Sequence, residues 1–207
     1  YAVLPALDLV TRCARIRNLG ETPVTLTKAA SLCLDISRGS WEWVHFHGRH
    51  AMERQMERRL LFHGIQEIGS TRGTSSHHQN PTVLLCTPDC TETAGACIGA
   101  ALVYSGSHQT RLECDQLGQV RMVMGIHPDL FRWELKAGET FSTPEVMLSY
   151  SDTGLETLSH HFHQAIREHI CRGKYQLAER PVLINNWEAT YFGFDTEKIL
   201  HIAEEAA

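Results

Sequence analysis

The segment PVLINNWEATYFGFD, Pro181 to Asp195, sets an aliphatic run directly against two amides, an indole and a carboxylate. Val182, Leu183 and Ile184 follow one another without the alternation of a half-exposed strand, which is the pattern of a strand buried on both faces. Arg180-Pro181 marks its entry, and the strand is expected over residues 182–186. Asp195 then stands where a helix N-cap belongs, ahead of apolar positions Ile199, Leu200, Ile202 and Ala203. A strand followed by a helix is one unit of a parallel βα repeat. Such a unit cannot bury both its faces alone, so further βα units are expected outside these 207 residues.

The chain before this segment has a different texture. Residues 1–150 read as antiparallel β-structure. Leu7, Leu9, Val10, Ala14 and Ile16 lead to the turn Asn18-Leu-Gly-Glu and then to Val24-Thr-Leu-Thr, an expected hairpin. GAALVYS, TRLEC, QVRMVMG, LFRWELK and TFSTPEVMLSY follow between Gly99 and Tyr150, with turns at Asp115-Gln-Leu-Gly and Lys136-Ala-Gly-Glu. Phe131, Trp133 and Leu135 alternate with Arg132, Glu134 and Lys136, as in a half-buried strand. Strands at such regular spacing indicate a sandwich. Leu155, Leu158, Phe162, Ile166 and Ile170 then recur at helical spacing, with Ser151 or Asp152 as the expected N-cap and Gly173 as the stop.

Composition excludes several classes. Acidic and basic residues are interleaved around a net charge of -5, which argues against nucleic acid as a partner. No apolar run approaches the length of a membrane-spanning helix. The seven cysteines form no compact framework, and the spacing of Cys86 and Cys90 does not suggest zinc. They read as reduced thiols of a cytoplasmic protein. There is no glycine-rich phosphate loop and no Gly-x-Ser-x-Gly elbow.

Several longer stretches carry a specific resemblance. PVLINNWEATYF (181–192), GIQEIGSTRGTSSHHQNP (64–81), LVYSGSH (102–108), ECDQLGQVRMVMGIHP (113–128), TPEVMLSYSDTGL (143–155) and REHICRGKY (167–175) resemble, in order, bacterial α-galactosidases of glycoside hydrolase family 36. The resemblance implies a mainly β fold: an antiparallel β-supersandwich, a linker helix, and the start of a (β/α)8 barrel. It implies boundaries at 1–150 for the supersandwich, 151–178 for the linker, and 179–207 for the first barrel strand and helix. It further places Tyr1 partway into the supersandwich and Ala207 in the first barrel helix. The implied activity is retaining hydrolysis of terminal α-galactosyl units from melibiose, raffinose and stachyose, in a protein that is often a tetramer and uses no cofactor or metal.

Retaining hydrolysis needs two carboxyl groups about 5–5.5 Å apart across the scissile bond. In the family both are aspartates from later barrel strands, the nucleophile in a Lys-x-Asp-x-Asn motif. The motif is absent from these 207 residues, so no catalytic residue is assigned and the chain is expected to be inactive alone. The expected substrate-binding residues are Trp187, Asn186, Arg49 and Arg54. Strand 182–186 would deliver Trp187 to the rim where barrel active sites sit, as a platform for the C–H face of a sugar. The alternative is that Trp187 packs under the barrel. Asn185, Asn186 and Glu188 either bond sugar hydroxyls or orient neighbours, and Glu188 reads as structural. At Gly193 the family usually carries Asp or Asn, which puts a polar role there in doubt.

HFHGRHAMERQMERR (45–59) holds four arginines and three histidines, and the corresponding family loop reaches toward a neighbouring subunit's active site. Arg49 and Arg54 are its candidates for forking onto carboxylates or hydroxyls; a solvated charged loop is the alternative. RGTSSHHQNP (72–81) suits a tight hydrogen-bonded loop. His45 with His47, and His160 with His163, would share faces without a third ligand to complete a metal site. The competing reading of the whole chain is a non-catalytic carbohydrate-binding or oligomerisation module, with Trp41, Trp43 and Trp187 as exposed sugar platforms.

Overall fold

A computed structural model describes residues 1–129 and 131–206. The chain divides into two compact units, Tyr1–Ile166 and Arg167–Ala207. The first unit is built from strands β1 (Ala2–Leu4), β2 (Leu9–Arg12), β3 (Arg15–Arg17), β4 (Val24–Leu26) and β5 (Ala30–Ile36). Next come β6 (Glu42–Arg49), β7 (Met52–Leu60), β8 (Gly64–Ser70), β9 (Gln79–Cys86) and β10 (Cys97–Val103). The series ends with β11 (His108–Cys114), β12 (Val120–Ile126), β13 (Trp133–Leu135), β14 (Thr140–Ser142) and β15 (Glu145–Ser151). Helix α1 (Leu155–Ala165) follows and runs on as one π-helical turn, Ile166–Ile170.

The strands form a seven-stranded sheet, β1-β2-β15-β10-β9-β6-β7, and a four-stranded sheet, β5-β12-β11-β8. Period-2 alternation sorts the central strands' side chains into two cores. Trp43, Val83, Leu85, Ala100 and Leu102 face Leu32, Leu112, Met122 and Met124 of the smaller sheet. Their neighbours Val44, Cys86, Cys97 and Ala101 face the opposite way and pack with Leu158, Phe162 and Ala165 of α1. The larger sheet is therefore covered on both faces, by a sheet on one side and a helix on the other. At Gly99 α1 packs tightly on the sheet: a Cβ there would lie 2.5 Å from the Phe162 ring.

The turn Asp115-Gln-Leu-Gly joins β11 to β12 as expected. Asp115 Oδ1 accepts from the Leu117 and Gln119 amides at 2.8 and 2.9 Å, and Gly118 takes a φ of 79°. The Lys136–Glu139 turn also forms, with Gly138 at φ 77°. Its flanking strands, however, pair elsewhere: β13 with β4 and β14 with β3. Those pairings overturn the hairpin expected over residues 7–27. Leu9–Arg12 joins the large sheet, while Arg15–Arg17 and Val24–Leu26 each find a partner more than a hundred residues away. The alternation over 131–136 is likewise incomplete, since Leu135 is buried but Trp133 is exposed.

The N-cap of α1 is Gly154 rather than Ser151 or Asp152. Gly154 holds a φ of 94°, and a Cβ there would meet the Glu92 carbonyl oxygen at 2.4 Å. The Leu155 and Glu156 amides donate to the Thr91 and Glu92 carbonyls, so a neighbouring loop caps the helix where a side chain was expected. The helical trace ends at Ile170; Gly173 adopts its left-handed conformation (φ 86°) in the turn beyond.

In the second unit, α2 (Trp187–Thr190) and α3 (Thr196–Glu205) come after the π-helical turn. Asp195 caps α3 as expected, its carboxylate accepting from the Lys198 amide at 2.9 Å. Residues 182–186 are not a hydrogen-bonded strand. Val182 and Leu183 are 87 and 89% exposed. A strand exists only against a partner strand, and among the described residues none pairs with this run.

Candidate functional site

The second unit carries the residues expected at a barrel rim. Trp187 opens α2, with its amide bonded to Asn185 Oδ1 at 3.1 Å. Its ring meets Tyr191 and Phe192 edge to face, at centroid distances of 5.5 and 4.9 Å. With these two rings against it, Trp187 remains 43% exposed. Asn186 is more committed: Nδ2 donates to Thr190 Oγ1 at 2.8 Å, and that hydroxyl donates back to the Asn186 carbonyl at 2.9 Å. This closed loop holds the first turn of α2 and leaves Asn186 Oδ1 as the available acceptor. Glu188 is exposed rather than buried among partners. A Cβ on Gly193 would meet only the Thr190 carbonyl at 3.4 Å, with no left-handed φ, so the backbone would accept the Asp or Asn usual in the family.

In the first unit, residues 45–59 are a long β-hairpin rather than a loop. β6 and β7 pair from Glu42–Leu60 to Arg49–Met52, with Ala51 (φ 62°) in the turn and Arg54 (φ 53°) just beyond it. The hairpin sorts its four arginines. Arg58 is bound to Glu42 and donates to the Cys90 and Thr87 carbonyls at 2.8 and 3.2 Å. Arg59 is bound to Glu57, and that hydrogen bond is the main reason the Glu57 carboxyl lies below its usual range. Arg49 and Arg54 have no carboxylate partner among the described residues. Arg49 Nη2 lies 3.0 Å from Met52 Sδ, and the Arg54 guanidinium sits 5.2 Å over the Phe46 ring. The two arginines singled out in the sequence are thus the two left free at the hairpin's end.

Residues 72–78 make a tight loop, shorter than the 72–81 expected, because Gln79, Asn80 and Pro81 already belong to β9. Gly73 N donates to Ser107 Oγ at 2.9 Å, Ser75 Oγ to the Tyr104 carbonyl at 2.9 Å, and His77 stacks on His78 at 4.4 Å. The two other histidine pairs do share faces, at ring distances of 6.2 Å for His45–His47 and 6.4 Å for His160–His163. Among the described residues no three His, Cys, Asp or Glu side chains converge as metal ligands. Trp43 is not an exposed platform: it is 6% exposed, inside the sandwich.

Two groupings escaped sequence reasoning. Cys86 faces Cys97 across the β9–β10 ladder, and Cys90 packs in the same buried cluster. Burial first, and then the neighbouring Cys90 thiol, pushes the Cys86 and Cys97 thiols up to about 12, so they stay protonated and inert at neutral pH. Ser149 Oγ lies 2.8 Å from His161 Nδ1, whose Nε2 is 3.8 Å from Asp8 Oδ2. That order resembles a nucleophile triad, but the buried Ser149 hydroxyl donates its one proton to the Asp8 carbonyl at 2.9 Å. The imidazole has no proton to remove there, and the set reads as a clamp between β15, α1 and the turn before β2.

Comparison with known proteins extends this picture to a family. The glycosyl hydrolase family 36 N-terminal domain matches residues 1–136, and the melibiase domain matches residues 140–207. The chain belongs to glycosyl hydrolase family 36. It is 49% identical, over all 207 residues, to a bifunctional alpha-galactosidase/sucrose kinase of Mediterraneibacter gnavus, covering 22% of that protein. The alpha-galactosidase of Lactobacillus brevis superposes with a TM-score of 0.92 at 39% identity, over 99% of this chain and 28% of that one. A variant of the Geobacillus stearothermophilus alpha-galactosidase AgaA, solved with stachyose, superposes with a TM-score of 0.89 at 44% identity, over 95% of this chain and 27% of that one. The chain thus spans about a quarter of the length of these relatives.

Proposed function

We propose that this chain is the supersandwich and barrel entry of an α-galactosidase that removes terminal α-D-galactosyl units, with retention, from melibiose- and raffinose-type oligosaccharides. The observation that carries the reading is the match of both family domains, in order, across residues 1–136 and 140–207. The stachyose complex of a relative supports the substrate class. In this reading residues 1–150 are the supersandwich, 151–178 the linker, and 179–207 the first barrel strand and helix. The exposed Val182-Leu183-Ile184 run is the face against which the neighbouring barrel strands assemble.

The roles of this chain's residues follow from their chemistry. Trp187 offers an exposed aromatic face to the C–H side of a galactosyl ring. Asn186 Oδ1 accepts from a sugar hydroxyl while its amide stays on Thr190. Arg49 and Arg54, free of carboxylates, reach across a subunit contact in a cytoplasmic homotetramer and fork onto a partner's site or its sugar. The catalytic aspartates belong to the remainder of the barrel, and no metal or other cofactor takes part.

The test is hydrolysis of nitrophenyl α-galactoside by the 207-residue chain and by the complete product of its gene. The chain alone is expected to show no turnover, and the complete product to release galactose first as the α-anomer by NMR. Turnover by the isolated chain, or a complete product without α-galactosidase activity, overturns the proposal.

A further inference from the structure

At the open side of the sandwich, where β7 and β8 diverge, lies a cleft of about 390 Å³, within the size range of small-molecule sites. Its walls alternate between two chemistries. Leu60, Phe62 and Ile65 are apolar and exposed, Phe62 by 63%. Between them stand Glu57, Arg59 and Glu67, planar groups with hydrogen-bonding edges. Gln66 takes no part: its amide is tied to the Phe62 backbone at 2.9 and 3.3 Å and holds that aromatic in place.

Behind this rim the cleft is lined by Trp43 and His45, both more than nine-tenths buried and set edge to face at 5.0 Å. Each has a polar atom without a partner, Trp43 Nε1 and His45 Nδ1. His45 Nε2 lies 3.2 Å from Glu57 Oε2, which assigns the ring proton to Nε2 and leaves Nδ1 an acceptor. One orphan is thus a donor and the other an acceptor. A hydroxyl can meet either demand, accepting from Trp43 Nε1 or donating to His45 Nδ1, once a small side-chain shift opens these solvent-closed atoms to the cleft. A buried polar atom without a partner is destabilising, so a ligand that supplies the missing bond gains affinity.

The charge pattern selects the class further. Glu57 is shared between Arg59 at Oε1 and His45 at Oε2, while Glu67 has no ion-pair partner among the described residues and keeps its carboxylate free to accept from hydroxyls. Apolar walls facing planar hydrogen-bonding groups suit a molecule with C–H faces and hydroxyl edges. We propose that this cleft binds a neutral sugar. The site belongs to the first unit of the chain, whereas Asn186 and Trp187 belong to the second, and the inference does not depend on the catalytic reading.

The test follows the four tryptophan indole N–H resonances, and the histidine ring signals, by NMR while the 207-residue chain is titrated with raffinose. Saturable shifts of Trp43 and His45 are expected, with millimolar affinity. Glu57→Gln should weaken binding about tenfold, as loss of one charge-assisted hydrogen bond does. Phe62→Ala should weaken it without moving the other three indole signals, which separates lost binding from lost folding. Absence of any shift at Trp43 overturns the inference, as does a shift unaltered in both variants. A shift confined to Trp187 overturns it too, while leaving the α-galactosidase reading intact.

Discussion

The two units of the chain draw on the same kinds of residue and treat them differently. In Tyr1–Ile166 the aliphatic side chains are sorted into two cores, and Val44, Val83, Leu85 and Leu112 have no exposed surface at all. In the second unit Val182, Leu183 and Phe192 stand almost fully in water. The difference is not in composition but in the presence of a partner. A strand in a covered sheet has hydrogen bonds at both edges and packing on both faces; the 182–184 run has neither. Burial follows from what a segment is placed against, and hydropathy states only what it would accept.

The sharpest way to break that contrast is a pair of leucines. Leu112→Ala, between the sheets, should cost about 2–5 kcal/mol in urea unfolding, whereas Leu183→Ala should stay within about 0.5 kcal/mol. Equal losses would mean that the second unit has a core of its own. A smaller effect is expected where α1 meets the large sheet. Gly99→Ala places a methyl 2.5 Å from Phe162 and should destabilise by about 1–3 kcal/mol. Combined with Phe162→Leu, which makes room, the two losses should be less than additive, read from a double-mutant cycle.

Acid should act on the first unit through its buried histidines. Burial is the largest cause lowering both His45 and His108 below the ordinary value of 6.5. The unfolded chain then binds these protons more readily, so stability is complete above about pH 6.5 and falls as pH drops toward the folded-state values. The urea midpoint should decline from pH 7.5 to pH 5.5, and His108→Gln should flatten the decline. A midpoint that rises with acid would contradict the burial of these rings. A local effect is expected in the second unit: Asp195→Ala removes the cap of α3 and about 1 kcal/mol of helix stability. Amide exchange in α3 should quicken severalfold while β10 is unchanged.

The sequence offered the candidate residues of the site but not their partners. Arg49 and Arg54 stand out as candidates in a stretch that the resemblance points to, and the hairpin leaves those two without carboxylates, because Arg58 takes Glu42 and Arg59 takes Glu57. The cap at Asp195 and the turns at Asp115 and Lys136 were legible because each is a local device, complete within four or five residues. The cap of α1 was not, because its partners are the Thr91 and Glu92 carbonyls of a distant loop. Neither was the cluster of Cys86, Cys90 and Cys97, nor the cleft that joins His45 and Glu57 to Phe62.

By itself, then, the sequence determined the β-rich first unit, the two longer helices, the family, and the absence of the Lys-x-Asp-x-Asn nucleophile strand from these residues. These rest on periodicity, capping and motif order, which are properties of neighbours along the chain. Tertiary structure alone decided that β3 pairs with β14 and β4 with β13, which arginines stay free, and which side chains line the cleft between β7 and β8. The physical reason is that a strand's alternation specifies which face is buried but not which strand lies beside it. That choice is made by hydrogen bonds and packing between segments far apart in sequence.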